Sequence, residues 1–238
     1  MKIEIRNTCS YSKINKKYLP LIKDIMKLYK KIAKDEIIDV RLMGSVVRGE
    51  SLGKNSDIDF VAITRNIIPK DIKKKRDKYS KNLLKKHPLA IKIDMFFLPK
   101  SKIDEYKRFV LTTDSISLWG KDYFSKKEFR IDSKKLVNLV VPDIRKLLFE
   151  YKERLKSLKE EEDVRIISRL TGKNIFHYFK KDLILKKGIY AKSMKEIYKD
   201  LIKYFPENKN LYDKVFKIYK HPTKNKKKII EIIEELDK

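Results

Sequence analysis

The sequence predicts an α+β chain in which a mixed α/β domain, residues 1–133, precedes a helical bundle, residues 134–238. Three observations lead there. Short runs rich in β-formers alternate with helical stretches over the first hundred residues. From about residue 134 helical periodicity dominates to the end. The chain is 42% hydrophobic over 238 residues, enough for one large or two small cores.

The elements follow in order. Leu21, Ile22, Ile25, Met26, Leu28, Tyr29 and Ile32 recur at helical spacing within residues 12–35. Pro20 sits near the start of that helix, where proline is tolerated. Residues 37–45, IIDVRLMGS, read as a strand closed by a Gly-Ser turn, and residues 45–53 as a short helix and loop ended by Gly53. Residues 56–64, SDIDFVAIT, alternate and form a second strand. Residues 69–87 form a basic helix with few apolar residues, stopped by His87-Pro88. Residues 89–98 give a third strand between Pro88 and Pro99. A short helix at 101–111 and a loop around Trp119-Gly120 complete the first domain.

In the second domain, helices are expected over 141–160, with Pro142 in the first turn, and over 163–187, ending at Gly188. The acids Glu160, Glu161, Glu162 and Asp163 suit a helix N-terminus. Ser193 and Glu196 make a capping-box pattern that opens a helix to about 204. Two short helices, 208–219 and 224–237, are split by His221-Pro222. There is no internal repeat and no low-complexity linker.

Composition bounds the function. Sixty Lys and Arg against 33 Asp and Glu give a formal charge of +27, which attracts polyanions and disfavours cationic substrates. A lysine-rich composition also accounts for it, since lysine is spread along the chain. Cys9 is the single cysteine, so no intrachain disulfide and no cysteine-based zinc site can form, which fits a reducing cytoplasm. The N-terminus has no apolar signal region, and the longest apolar runs are too short to span a bilayer.

The chemistry concentrates in residues 44–59 and 94. Asp57 and Asp59 lie two apart on a strand, so both side chains project from one face. Their mutual repulsion would be relieved by a hard divalent cation. Gly44-Ser45 follows a strand and opens a helix, where backbone N–H groups and a hydroxyl can meet a phosphate. Asp94 interrupts an apolar strand, sharing a face with Lys92 and Phe96, and a charge there needs a partner.

The order G44-S45-V46-V47-R48-G49, then S56-D57-I58-D59, then Asp94 resembles the nucleotidyltransferase superfamily of polymerase beta, the antibiotic nucleotidyltransferases and their small prokaryotic relatives. The resemblance covers residues 37–98. It implies a nucleotidyltransferase domain whose metal ligands and catalytic residues are Asp57, Asp59 and Asp94, holding two Mg²⁺ ions, with Asp94 also helping to deprotonate the acceptor. Gly44 and Ser45 would hold the β- and γ-phosphates of ATP or another NTP. Arg48 either contacts the triphosphate or pairs with Glu50 or another acid. Arg41 receives no role, and Ser56 reads as a cap or loop bond. The stretch 112–122, TTDSISLWGKD, loosely resembles a segment of standalone members, in which Trp119 either stacks on a base or anchors the domains.

The activity implied is transfer of a nucleoside monophosphate, AMP from ATP, to a hydroxyl, releasing pyrophosphate, with the C-terminal bundle on the acceptor side. The acceptor is a small molecule such as an antibiotic; the alternatives are tRNA or a protein, or a non-catalytic nucleotide-binding or nucleic-acid-binding module. His87 and His221 read as loop residues beside prolines, and His177 as a packed helix residue.

Overall fold

A computed structural model of the chain describes all residues except 52, 54–56, 91, 126, 127, 237 and 238. It divides into two units, one of residues 4–129 and the other of residues 1–3 with 130–238. Among the described residues no helix is long and apolar enough to cross a membrane.

In the first unit, α1 (Leu19–Ala33) leads into β2 (Ile37–Met43), the one-turn α2 (Ser45–Arg48) and β3 (Asp57–Thr64). Then come α3 (Lys70–Lys86), β4 (Lys92–Pro99), α4 (Glu105–Thr113) and β5 (Ser115–Gly120). The four strands form one sheet in the order β4-β3-β2-β5. β3 and β4 are parallel; β2 is antiparallel to both β3 and β5. The parallel pair needs a crossover, and α3 supplies it. β1 (Lys2–Arg6) pairs with β6 (Glu128–Asp132) in a separate two-stranded sheet.

Alternation along the strands gives the sheet two unlike faces. Val40, Leu42, Ile58, Phe60, Ala62, Ile93 and Met95 point to one face, where they pack with Leu21, Ile22, Ile25 and Tyr29 of α1. Ile72, Leu83 and Leu84 of α3 join that core, so α3 buries only a narrow stripe. The other face carries a small apolar group, Val61, Ile63 and Leu111, and beyond it the charged residues Asp39, Arg41, Asp57, Asp59, Lys92 and Asp94.

The helix over 12–35 is shorter than its periodicity suggests. Ser10 and Asn15 accept backbone bonds and divert residues 11–18 into two 3-10 turns before α1 begins. The loop around Trp119-Gly120 is instead the last part of β5. Its alternation is masked because Ser115 and Ser117 face inward on polar partners. Gly120 has φ +100°, and a Cβ there would stand 2.1 Å from the Ile38 carbonyl oxygen. Gly120→Ala is therefore expected to destabilise the unit by about 3 kcal/mol or more, read by urea denaturation.

The second unit is helical: α5 (Ser133–Val140), α6 (Ile144–Ser157), α7 (Glu161–Asp182), α8 (Met194–Tyr204), α9 (Lys209–Lys220) and α10 (Lys226–Glu235). Phe176, Ile167, Leu201, Val215 and Ile229 are in its core. Glu161, Glu162 and Asp163 open α7 as expected, and a π-turn over Leu183–Lys187 ends at left-handed Gly188. Ser193 and Glu196 form the capping box of α8. Asp143, next to Pro142, caps α6. Gly172 lets α7 meet α9, since a Cβ there would stand 2.9 Å from Tyr219 Cβ.

Candidate active site

β2 ends at Met43, whose register partner on β3 is Asp59 and on β5 is Ser115. Asp59 is in turn the register partner of Asp94 on β4, and Asp57 that of Lys92. The ladder thus sets Asp57, Asp59, Lys92 and Asp94 side by side at one end of the sheet, on the same face. Asp57 is exposed; Asp59 and Asp94 are half-buried.

Gly44 leaves β2 with φ 75° and ψ −146°, a conformation open almost only to glycine. A Cβ at this position would lie 3.5 Å from Asp59 Oδ2, so the Gly-Ser turn and the Asp59 carboxylate are neighbours. Ser45 is the first residue of α2 and half-buried. Gly49 closes α2 in the left-handed conformation, with the Lys13 carbonyl oxygen 3.2 Å from where its Cβ would be.

Lys92 Nζ bonds Asp94 Oδ1 at 2.8 Å. That bond, against some burial, raises the Lys92 pKa, and the charges of Asp94, Asp57 and Asp59 add to it. Lys92 therefore supplies the positive charge that Asp94 needs within its strand. Among the described residues no three acidic, His or Cys side chains are gathered so as to hold a metal ion. The donor chemistry itself, neighbouring carboxylate oxygens on one rigid face, fits a hard divalent cation.

Arg48 is held by Glu50 at 2.8 Å and by the Asp114 carboxylate. Burial works against its charge, but Asp114 and Glu50 outweigh it and keep the guanidinium protonated above its ordinary range. Of the two roles open to Arg48, the geometry displays the ion pair. Asp114 is a hub that the sequence did not reveal. Its backbone carbonyl accepts from Gly44 N–H at 3.1 Å, and its carboxylate also accepts from Cys9 Sγ at 3.6 Å. Asn7 Nδ2 donates to the Ser115 carbonyl at 2.8 Å.

Arg41 is 1% exposed and Asp39 0%. Arg41 bonds Asp39 at 2.8 Å, Asp122 at 2.6 Å and Ser115 Oγ at 2.7 Å, and its guanidinium lies 5.4 Å from the Phe124 ring centroid. Ser117 Oγ donates to Asp39 at 2.7 Å. Burial nonetheless raises the Asp39 pKa against the opposing pull of Arg41 and Ser117. The stretch 112–122 thus serves β2 and the turn after it: Ser115 and Asp122 hold Arg41, Ser117 holds Asp39, and Asp114 holds Gly44 and Arg48. Trp119 packs against the core of the first unit, with Lys30 Nζ 5.2 Å from its ring centroid. Ser56 lies outside the described residues.

His87 ends α3 and its Nε2 meets Asp24 at 2.8 Å. His221 ends α9, and His177 is half-buried within α7. Glu161 pairs with Lys224 at 2.9 Å.

No protein-family model matches the chain, and no curated protein matches it. Among solved structures it is similar to the spectinomycin adenyltransferase AAD(9) from Enterococcus faecialis, determined with ATP and spectinomycin. The two share 13% identity with a TM-score of 0.58, over 92% of this chain and 99% of that one. The chain has the fold of this adenyltransferase. The adenyltransferase fold accounts for an α+β chain in which the four-stranded sheet precedes the helices α5–α10. A likeness over nearly the whole length includes that helical part, which carries no readable motif of its own.

Proposed function

We propose that the protein is a Mg²⁺-dependent nucleotidyltransferase that moves AMP from ATP to a hydroxyl. The observation that carries this reading is the adjacency of Gly44, Asp59 and Asp94: a glycine-only turn against one carboxylate, and a second carboxylate in register beside it. The shared fold with an ATP-using adenyltransferase supports it independently.

In this reading Asp57, Asp59 and Asp94 hold divalent cations, whose chemistry is charge stabilisation at the reacting phosphorus and its attacking and leaving oxygens. Ser45 receives the β- and γ-phosphates through its backbone N–H and hydroxyl, and Gly44, whose own N–H is held by the Asp114 carbonyl, lets them approach by carrying no side chain. The acceptor oxygen forms a bond to the α-phosphorus, the bond to pyrophosphate breaks, and Asp94 takes the acceptor proton. Arg48, fixed by Asp114 and Glu50, holds the turn in place rather than reaching the phosphates.

Asp94 must exchange Lys92 for a cation. Lys92→Gln is therefore expected to tighten Mg²⁺ binding two- to fivefold, roughly the ~1 kcal/mol ceiling for an exposed ion pair. Calorimetric titration with Mg²⁺ checks it, and unchanged or weaker binding would remove Lys92 from the site.

A small-molecule acceptor is favoured by the length over which the chain follows the spectinomycin enzyme. An RNA or protein acceptor is a second reading, favoured by the basic α3. Labelled ATP offered with an antibiotic panel, total tRNA and a cell lysate separates them by where the label goes. If no acceptor is labelled and ATP is bound without pyrophosphate release, the protein is a binding module and the enzymatic reading fails.

A further inference from the structure

We propose that the outer surface of the α1–α3 layer is a docking face for RNA, gripped through its phosphate backbone. α3 holds nine Lys and Arg against two Asp in 17 residues, and α1 four Lys against one Asp in 15. These two helices thus carry ten net positive charges in 32 residues, whereas the whole chain has 27 in 238. A lysine-rich composition alone would spread the charge evenly; here it concentrates on one layer of the unit. The opposite face of the same sheet holds Asp57, Asp59 and Asp94.

The spacing makes the charge usable. Lys70, Lys74, Lys78, Lys81 and Lys85 recur every three or four residues along α3, and all are exposed. At 1.5 Å per residue this stripe is about 22 Å long. Lys23, Lys27, Lys30 and Lys34 make a similar exposed row from α1 to its C-cap. The helices contact each other, and Asp24 of α1 bonds Lys86 and His87 of α3 at 2.8 Å each, which fixes the two rows side by side. Tyr79 of α3 is 37% exposed and offers a ring to an unstacked base.

The same pattern argues against a lipid surface. An interfacial helix needs an exposed apolar face to insert. The apolar residues of α1 and α3, such as Leu21, Ile25, Tyr29, Leu83 and Leu84, are spent on the core instead. α3 runs antiparallel to β3 as the crossover to β4, so its last turn returns to the strand end that carries Asp57. A strand lying along α3 would lead towards those carboxylates.

The surface stands or falls by binding, whatever the acceptor is. The full chain is titrated into a fluorescently labelled RNA hairpin at several salt concentrations, and separately into anionic vesicles. Lys74, Lys78, Lys81 and Lys85 are changed together to Gln, which keeps helix propensity; circular dichroism checks the fold. The matched control changes Lys195, Lys199, Lys217 and Lys220, exposed on α8 and α9, to Gln. The α3 variant should lose at least about tenfold in RNA affinity and about 3 units in the slope of log K against log salt. The control should stay within about twofold of the wild type, since it removes no phosphate contact. Equal losses in both variants would mean diffuse charge and no docking face. Tighter binding to vesicles than to RNA would overturn the choice of partner.

Discussion

Asp59→Asn should reduce Mg²⁺-dependent pyrophosphate release from ATP at least ~1,000-fold while changing the stability of the folded state by less than about 1 kcal/mol. Asn keeps the size and planar shape of the side chain, so the pairing of Asp59 with Met43 on one side and Asp94 on the other has no steric reason to change. What disappears is one negative charge: part of the repulsion among the three carboxylates goes with it, and so does its attraction to Lys92, and the two changes oppose each other. Loss of chemistry together with retained stability is the signature of a group whose charge serves a ligand. Asp71→Asn, an exposed acid on α3, is the matched control and should leave turnover unchanged. Steady-state pyrophosphate release and thermal melts of the three proteins read both quantities. An Asn variant keeping more than a tenth of the activity would place the chemistry elsewhere.

Arg41→Met has the opposite profile, with a large effect on stability. Removing the guanidinium strands Asp39, which is 0% exposed, and releases Asp122 and Ser115. Breaking a buried pair from one side costs about 3–5 kcal/mol, or a fall in Tm of about 10 °C for a protein of this size. The double variant Arg41→Met/Asp39→Leu should recover much of that, because no buried charge is then left alone. The pH dependence follows from the raised Asp39 pKa. A carboxyl whose folded pKa exceeds its unfolded one is most favourable below the ordinary carboxylate value, and loses stability as pH rises through the raised value. Arg41 opposes that shift, so Arg41→Met should enlarge it. The single variant should therefore regain stability on acidification relative to the wild type, in urea titrations at a series of pH values.

The site strands were legible because their chemistry contradicts their surroundings. Asp94 within an apolar strand, and Asp57 and Asp59 two apart before Phe60-Val61-Ala62-Ile63, break the pattern of a buried sheet. Gly44 was legible only through its place in the order of the motif, between a strand and a helix start; the backbone conformation that excludes other residues appears only in the structure. β5 was hidden for the converse reason: Ser115 and Ser117 read as loop residues until Arg41 and Asp39 appear as their partners. Asp114 could not be read at all. Beyond its cap bond to Val110, its hydrogen bonds include those with Gly44, Arg48 and Cys9, which are 66 to 105 positions away. β1 and β6 escaped notice because each is a five-residue edge strand paired across more than a hundred residues. The ion pair of Arg48 with Asp114 could not be read from the sequence either, as it depends on where Asp114 lies.

The parallel ladder between β3 and β4 has a consequence for how such a protein can diversify. The alignment of Asp59 with Asp94 is dictated by strand pairing and by the side chains of each strand, while the crossover only has to span the distance. The segment between Thr64 and Lys92 can therefore be lengthened, shortened or exchanged without displacing the carboxylates, provided that its inner apolar stripe is kept. In a lineage, or in the hands of a designer, that segment is an exchangeable cartridge mounted on a fixed frame. Substituting a neutral amphipathic helix for α3 would remove the charge proposed to meet RNA and leave the proposed carboxylate site in place.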